Sequence, residues 1–503
     1  MSKARDIADS YNNTEVDALE TRLQNNVNTK LTKRNITYIS PSQHNNMIMV
    51  MDGKVYTTSG NSGYHHNSGT GRGLDNQIST FGLDNFKQIH FDGLPSTANV
   101  VKVGGTGYAL NFALFDNRYL YTWGQNIKGV CGLGHTSPVG TPTLAATDCT
   151  DVYDSYISDG WQVNESSFFI KKADGYVYAA GDGNDGQFGL RNLNDSPTFV
   201  KLTWIGTNPK FVCCNSGYAG SVIVQKSDGT IWAAGHGEGG SMFTGVSHTG
   251  QSTPIEITNN VGGLSAGDVV YSVKNYRHYS TQAHGSSHGL LMRKTDAGVT
   301  SVYTAGYNAW GQRGDGTTTS SVTPYLVPNM TDVVDIVSTG GNPATILALK
   351  SNGDLYAWGY SGVGQSGLGT THVLSPTLVM SGVSKLLTRE LDSHAYGWYV
   401  QVFVRRTDDK VYCWGFSNVT GYLGTGESSD ITTPTVNKTL TSCGSPIKMI
   451  GSFITQNYGR IFCAVTEDNR IYGWGYNAQQ GVSADSTINQ KIPIQFNLPQ
   501  ENN

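Results

Sequence analysis

The sequence predicts an all-β protein: a β-propeller of seven or eight four-stranded blades, preceded by a short N-terminal helical arm. Three observations predict it. An aromatic residue on a short apolar run returns eight times, at Tyr56, Tyr121, Tyr178, Trp232, Tyr303, Tyr356, Tyr412 and Tyr472. A glycine follows each within a few residues: Gly60, Gly124, Gly181, Gly235, Gly306, Gly359, Gly415 and Gly475. In copies two to eight a proline comes later still: Pro142, Pro197, Pro254, Pro324, Pro376, Pro434 and Pro493.

Each copy predicts a hairpin with a strand on either side. Just before the aromatic anchor sits a turn pair such as Asp52-Gly53, Asp116-Asn117, Asp174-Gly175 or Asn352-Gly353. These residues tolerate the positive φ of tight hairpins. Apolar and β-branched residues flank the turn, as in Met47-Ile48-Met49-Val50 and Val55-Tyr56. A further apolar run lies upstream, for example Val333-Val334-Asp335-Ile336-Val337. The proline suits the head of an outer strand, where its missing N–H costs no ladder bond. Asn35 to Ser40 starts blade one. The last proline strand, 492–498, has no later copy to join. It is expected to complete blade one, so that 35–40 and 492–498 close the ring and remove exposed edges.

The loop after the anchor follows the pattern aromatic-x-Trp-Gly-x-Asn-x-x-Gly-Gln-x-Gly. Tyr121 to Gly132, Tyr178 to Gly189, Tyr303 to Gly314 and Tyr356 to Gly367 show it best. This resembles the repeat of the regulator of chromosome condensation family, over about residues 36 to 503. The resemblance implies a propeller disc. Family members usually have seven blades, and eight copies imply eight, or seven plus a divergent unit. Copy one diverges most, with Ser59 where the tryptophan would stand.

Composition agrees with many turns and sheet faces. The chain holds 62 glycines in 503 residues, and only 14% of residues are charged against a usual level of about 25%. A net charge of −4 without a basic tail argues against nucleic acid. Seven cysteines without metal-type spacing, two of them adjacent at Cys213 and Cys214, read as reduced core thiols. No apolar run approaches a membrane span, so no membrane insertion is expected.

Residues 1–35 lie outside the repeat and form the attachment arm. Val16, Leu19, Leu23, Val27 and Leu31 recur at helical spacing, which predicts a helix over about 15–33. Their stripe is the expected anchoring surface. It packs on the propeller itself, on a partner chain, or in a homo-oligomeric bundle. The opening Ser2-Lys3-Ala4-Arg5-Asp6-Ile7-Ala8-Asp9 resembles the N-termini of tail-fibre and other appendage proteins of tailed bacteriophages, those of cyanophages in particular. That resemblance implies a virion-attachment segment followed by a distal binding domain.

The longest interval, Trp232 to Tyr303, predicts a protruding loop. Tyr271, Tyr276, His278, Tyr279, His284 and His288 within it are the candidate binding residues, because exposed aromatics stack on sugars or proteins. The alternative is a longer hairpin with no ligand. The histidine spacing matches no metal motif. Asp182-Gly-Asn-Asp-Gly186 lacks the glutamate that a calcium loop needs at its twelfth position. No phosphate loop, nucleophile elbow or zinc-protease motif is present, so neither an enzyme nor a cofactor is expected.

The function expected from the sequence is therefore a virion structural protein. It would be made in the host cytoplasm and joined to other virion proteins by its arm. It would present a propeller to a host-surface glycan or protein, or to its own neighbours. The alternative is a cytoplasmic interaction propeller, or a guanine-nucleotide exchange factor for a small GTPase.

Overall fold

Hydrogen bonding sorts the repeats into eight sheets among the described residues, each built on a four-stranded meander, with a short fifth strand added to two of them. The computed structural model describes residues 35–40, 43–44, 47–57, 71, 86–105, 110–153, 155–157, 166–216, 220–263, 268–276, 288–338, 344–388, 400–417, 419–454, 459–476 and 489–496. The expected helix over 15–33, with Val16, Leu19, Leu23, Val27 and Leu31, lies outside them. Blades one to eight span 36–88, 100–146, 149–201, 211–256, 269–326, 333–380, 383–436 and 447–496. The fold is an all-β, eight-bladed propeller.

Blade six shows why the sequence takes this form. Its strands are Val333–Ser338, Thr345–Lys350, Leu355–Gly359 and Val373–Met380. The second strand is buried along nearly its whole length, because a neighbouring blade covers each of its faces. Strands covered on both sides read as continuous apolar runs rather than as alternation. The outer strand keeps only partial burial and carries Pro376, which has no ladder bond to lose.

Apolar clusters run from blade to blade around the whole ring. Between blades eight and one, Ile36, Ile39, Met47 and Met49 pack with Ile461, Cys463, Val465, Ile494 and Phe496. The expected strand exchange at this junction is corrected here. Gln490–Phe496 pairs with Ile471–Gly475 in its own blade eight. Blade one finds its own fourth strand at Lys87–Gln88, which pairs with the third strand at Tyr56 and Thr57. Closure is by side-chain packing, by the Ile36 N–H donating to Asn469 Oδ1 at 3.1 Å, and by a short parallel pairing of Gln43–His44 with Phe453 and Ile454. A similar short strand, Ser155–Ile157, leaves blade three to pair in parallel with the first strand of blade four.

Register also corrects the proline rule. The outer-strand residue opposite each anchor is Leu144, Glu256, Leu326, Leu378, Val436 or Gln495, and the proline stands two residues before it. In blade three the residue opposite Tyr178 is Lys201, so Phe199 holds the proline's place and Pro197 is out of register. In blade one the same place falls on Phe86, opposite Tyr56 by way of Gln88. The hairpin turns follow the expected chemistry with one shift. Gly53, Gly175, Gly229, Gly298 and Gly353 have positive φ, but in blade two the left-handed residue is Arg118 rather than Asn117. Asn117 Oδ1 instead accepts from the Tyr119 N–H at 3.1 Å, a side-chain turn that Asp174 and Asn352 repeat.

Candidate interaction face

Two features that recur among the described repeats meet on one face of the disc, in the loop after the third strand. The first is a glycine lock. In blade six Gly364 has φ +81°, and a Cβ there would come within 2.4 Å of the Thr432 Cα on the outer strand of blade seven. The same collision recurs in step around the disc, Gly129 with Pro197, Gly186 with Ser252, Gly240 with Val322, Gly311 with Leu374 and Gly421 with Lys491. Each of these loops, in blades two to seven, thus rests its backbone on the next blade's outer strand, an approach that only glycine permits.

The second is a tryptophan bolt. Trp358, Trp414 and Trp474 are fully buried. Their Nε1–H groups donate to the carbonyls of Gln312, Gln365 and Tyr422, at 3.0, 2.9 and 2.8 Å, each in the loop of the preceding blade. Blade four has Ala234 at this position. There Trp204, which follows the outer strand of blade three, donates at 2.8 Å to Phe188 O instead. The anchor aromatics have a different role. Tyr178, Trp232, Tyr356 and Tyr412 are half-buried and carry the cations of Lys172, Lys226, Lys350 and Arg406 over their rings, at 4.9, 4.0, 5.2 and 5.7 Å from the centroids.

With the loops fixed, the residue just after each motif glycine defines the character of the face. In blades two to four it is Gln125, Asp182 and His236. In blades five to eight it is Tyr307, Tyr360, Phe416 and Tyr476. The face therefore has a polar, ionisable arc and an aromatic arc.

The aromatic arc is richest between blades five and six. The rings of Trp310 and Tyr360 lie 5.4 Å apart, and both approach His372 at 4.8 Å. His372 Nδ1 accepts from the Ser361 N–H at 3.2 Å, so the neutral ring carries its proton on Nε2. Burial lowers the pKa of His372 and pushes that of Tyr360 up to about 12, so this cluster is uncharged at neutral pH. Trp310 and His372 remain partly exposed. Loop residues 360–372 and 416–426 contain no Asp, Glu, Lys or Arg, and Val419 there is 69% exposed.

In the ionisable arc His236 stands between two carboxylates, 3.5 Å from Asp185 and 3.3 Å from Glu238. Lys128 of blade two reaches Asp195 at 2.7 Å and Asp182 at 3.7 Å.

The binding residues expected from the sequence are not brought together as a described site. His278, Tyr279 and His284 lie outside the described residues. Tyr271 and Tyr276 sit on the first strand of blade five, Val269–Tyr276, with their side chains undescribed. His288 is corrected: it is 2% exposed at the head of the second strand, not a surface contact. Burial, with the Arg313 charge beside it, lowers its pKa to about 3. The sequence reading missed Trp310, Tyr360 and His372, although the residue after each motif glycine could have shown the aromatic arc. All seven cysteines are free thiols, and burial pushes Cys131, Cys149 and Cys413 up to about 12. Among the described residues no group of three or more His, Cys, Asp or Glu is placed to hold a metal ion.

A scan against family models finds no match. The chain is 27% identical over 328 residues to the ultraviolet-B receptor UVR8 of Arabidopsis thaliana, covering 65% of this chain and 66% of the receptor. It is 25% identical over 373 residues to the human E3 ubiquitin-protein ligase HERC2, covering 74% of this chain but 7% of the ligase. The chain thus spans just under two thirds of the first relative and a small part of the second. Among solved structures it superposes on Prp20p of Saccharomyces cerevisiae with a TM-score of 0.49 at 17% identity, covering 76% of this chain and 87% of that one. Repeat, register and relatives agree: the chain is an eight-bladed β-propeller of repeats like those of the regulator of chromosome condensation.

Proposed function

We propose that the chain is a non-catalytic protein-interaction propeller that takes its partner on the aromatic arc of the glycine-loop face. The observation that carries this reading is the Trp310, Tyr360 and His372 cluster beside loops free of charged residues. Interface cores are depleted of charge and enriched in aromatic side chains. The match to one short part of a large ligase supports reading the propeller as a binding module.

Photo-crosslinking tests it. A photoreactive residue at position 419 should capture a partner in cells that make the protein, and Trp310→Ala should reduce that capture at least tenfold. The same probe at position 352, on the hairpin face, should capture nothing comparable. Equal capture from both faces, or capture indifferent to Trp310→Ala, would sink the reading. If the captured protein is a small GTPase, acceleration of its nucleotide release by the propeller would turn the reading to exchange.

A finer reading is that this propeller is the distal domain of a phage appendage, located in the virion and attached through residues 1–33. It is supported by the opening Ser2 to Asp9 alone. A chain starting at Arg34 keeps every described strand, so its melting temperature should match the parent's. Supplied to assembling particles, it should fail to co-sediment where the full chain does. Equal incorporation would refute attachment through the arm.

A further inference from the structure

Asp182 follows the motif glycine of blade three and is 1% exposed. Its Oδ1 accepts from the Asn184 N–H at 3.2 Å and faces Lys128 Nζ at 3.7 Å. Its Oδ2 is buried with no hydrogen-bond partner. Asp195 lies within hydrogen-bonding reach: its Oδ1 accepts from the Gly183 N–H at 3.1 Å and its Oδ2 from Lys128 Nζ at 2.7 Å, which leaves each oxygen a lone pair for a further donor. Lys128 belongs to the loop of blade two and is held there in a left-handed conformation, φ 59°. Two carboxylates of one blade therefore meet a single ammonium of its neighbour.

An ionised Asp182 would leave a buried, acceptor-only oxygen without a donor, a costly arrangement. A protonated Asp182 has an O–H on Oδ2 to donate to Asp195. We infer that Asp182 and Asp195 share one proton, and that with Lys128 they form a proton-controlled latch between blades two and three. When the proton leaves for solvent, two carboxylates repel across one lysine and the latch loosens.

Burial, then the hydrogen bond with Asp195, raises the Asp182 pKa well above the carboxylate range, while Asp195 is lowered in concert. Among the described residues the blade-two loop adds His135 and the buried Cys131 thiol, and the blade-three loop adds Asp185 and Arg191. From blade four come His236 and Glu238, which pair with Asp185.

A group whose folded pKa is raised stabilises the fold at low pH and loses that contribution as pH rises through the folded value. The latch should hold near pH 4, the ordinary aspartate value, and weaken towards neutrality and above. Surface carboxylates with lowered pKa values, such as Asp174 and Asp354, act the other way and at lower pH.

The test uses the full chain. Asp182→Asn replaces the shared proton with a fixed N–H donor. Its melting temperature should lose the fall that the parent shows between about pH 5 and pH 8. In parallel, 13C-carboxyl aspartate NMR on the parent, assigned with Asp195→Asn, should show Asp182 titrating at least two units above the ordinary value of about 4. The protection factors of the Gly183 and Asn184 amides, that is, exchange corrected for its intrinsic rise with pH, should fall about tenfold or more over the same pH range. Asp182 titrating near 4, or Asp182→Asn with the parent's pH profile, would overturn the latch.

Discussion

Trp358→Ala should lower the unfolding free energy by about 3–5 kcal/mol, the range for emptying a large buried side chain. Trp358 is 0% exposed and packs in one cluster with Leu290, Met292 and Val302 of blade five and Ile346 and Ala348 of its own blade. The substitution opens a cavity at a blade junction. It also removes the Nε1–H donor from Gln312 O. Trp358→Phe separates the two effects. It keeps most of the packing and loses the donor, so its cost should be nearer 1–3 kcal/mol. Denaturant titration measures both. A cost below about 1 kcal/mol for the alanine variant would mean that the tryptophan does not bolt the junction.

Deleting residues 490–503 should do more damage than any single substitution. The deletion removes Gln490–Phe496, the outer strand of blade eight, and exposes the ladder edge of Ile471–Gly475. An unpaired apolar edge is a template for aggregation. Lys491 and Pro493 leave the blade-seven loop, where Gly421 and Gly424 close on them, and Ile494 and Phe496 leave the junction with blade one. The expected result is aggregation on heating and a lower melting temperature, followed by light scattering and circular dichroism. A shortened chain that melts with the parent would refute this account of the eighth blade.

The eight repeats were legible because hairpins are local. Asp-Gly pairs, the anchor aromatics and the motif glycines all act within one copy, and the structure places them where the periodicity implies, except Gly60 of copy one, which lies outside the described residues. Closure was not legible. Whether the last strand joins blade eight or blade one depends on pairing across the ring, and both options satisfy the same local pattern. Phe86 and Phe199 hid the proline place because that place is defined by register with the anchor, not by residue type. For the site, the long interval drew attention to His288, which burial removes from the surface. The aromatic arc was written in the sequence at Tyr307, Tyr360, Phe416 and Tyr476. It becomes meaningful only when four consecutive loops are known to share one face.

Each blade is one uninterrupted stretch of chain, and in blades two to seven the glycine loop receives the outer strand of the blade that follows it. Assembly therefore has a direction. As the chain leaves the ribosome, a finished blade already offers the docking ledge that its successor needs, so the disc can grow from the N-terminal end without waiting for a distant segment. Nothing is left for the last step except bringing the two end blades face to face. It also follows that the chain can be reopened between blades without cutting a sheet. New termini in the short link between Met380 and Val383, with the old ends tethered, would leave all eight meanders intact.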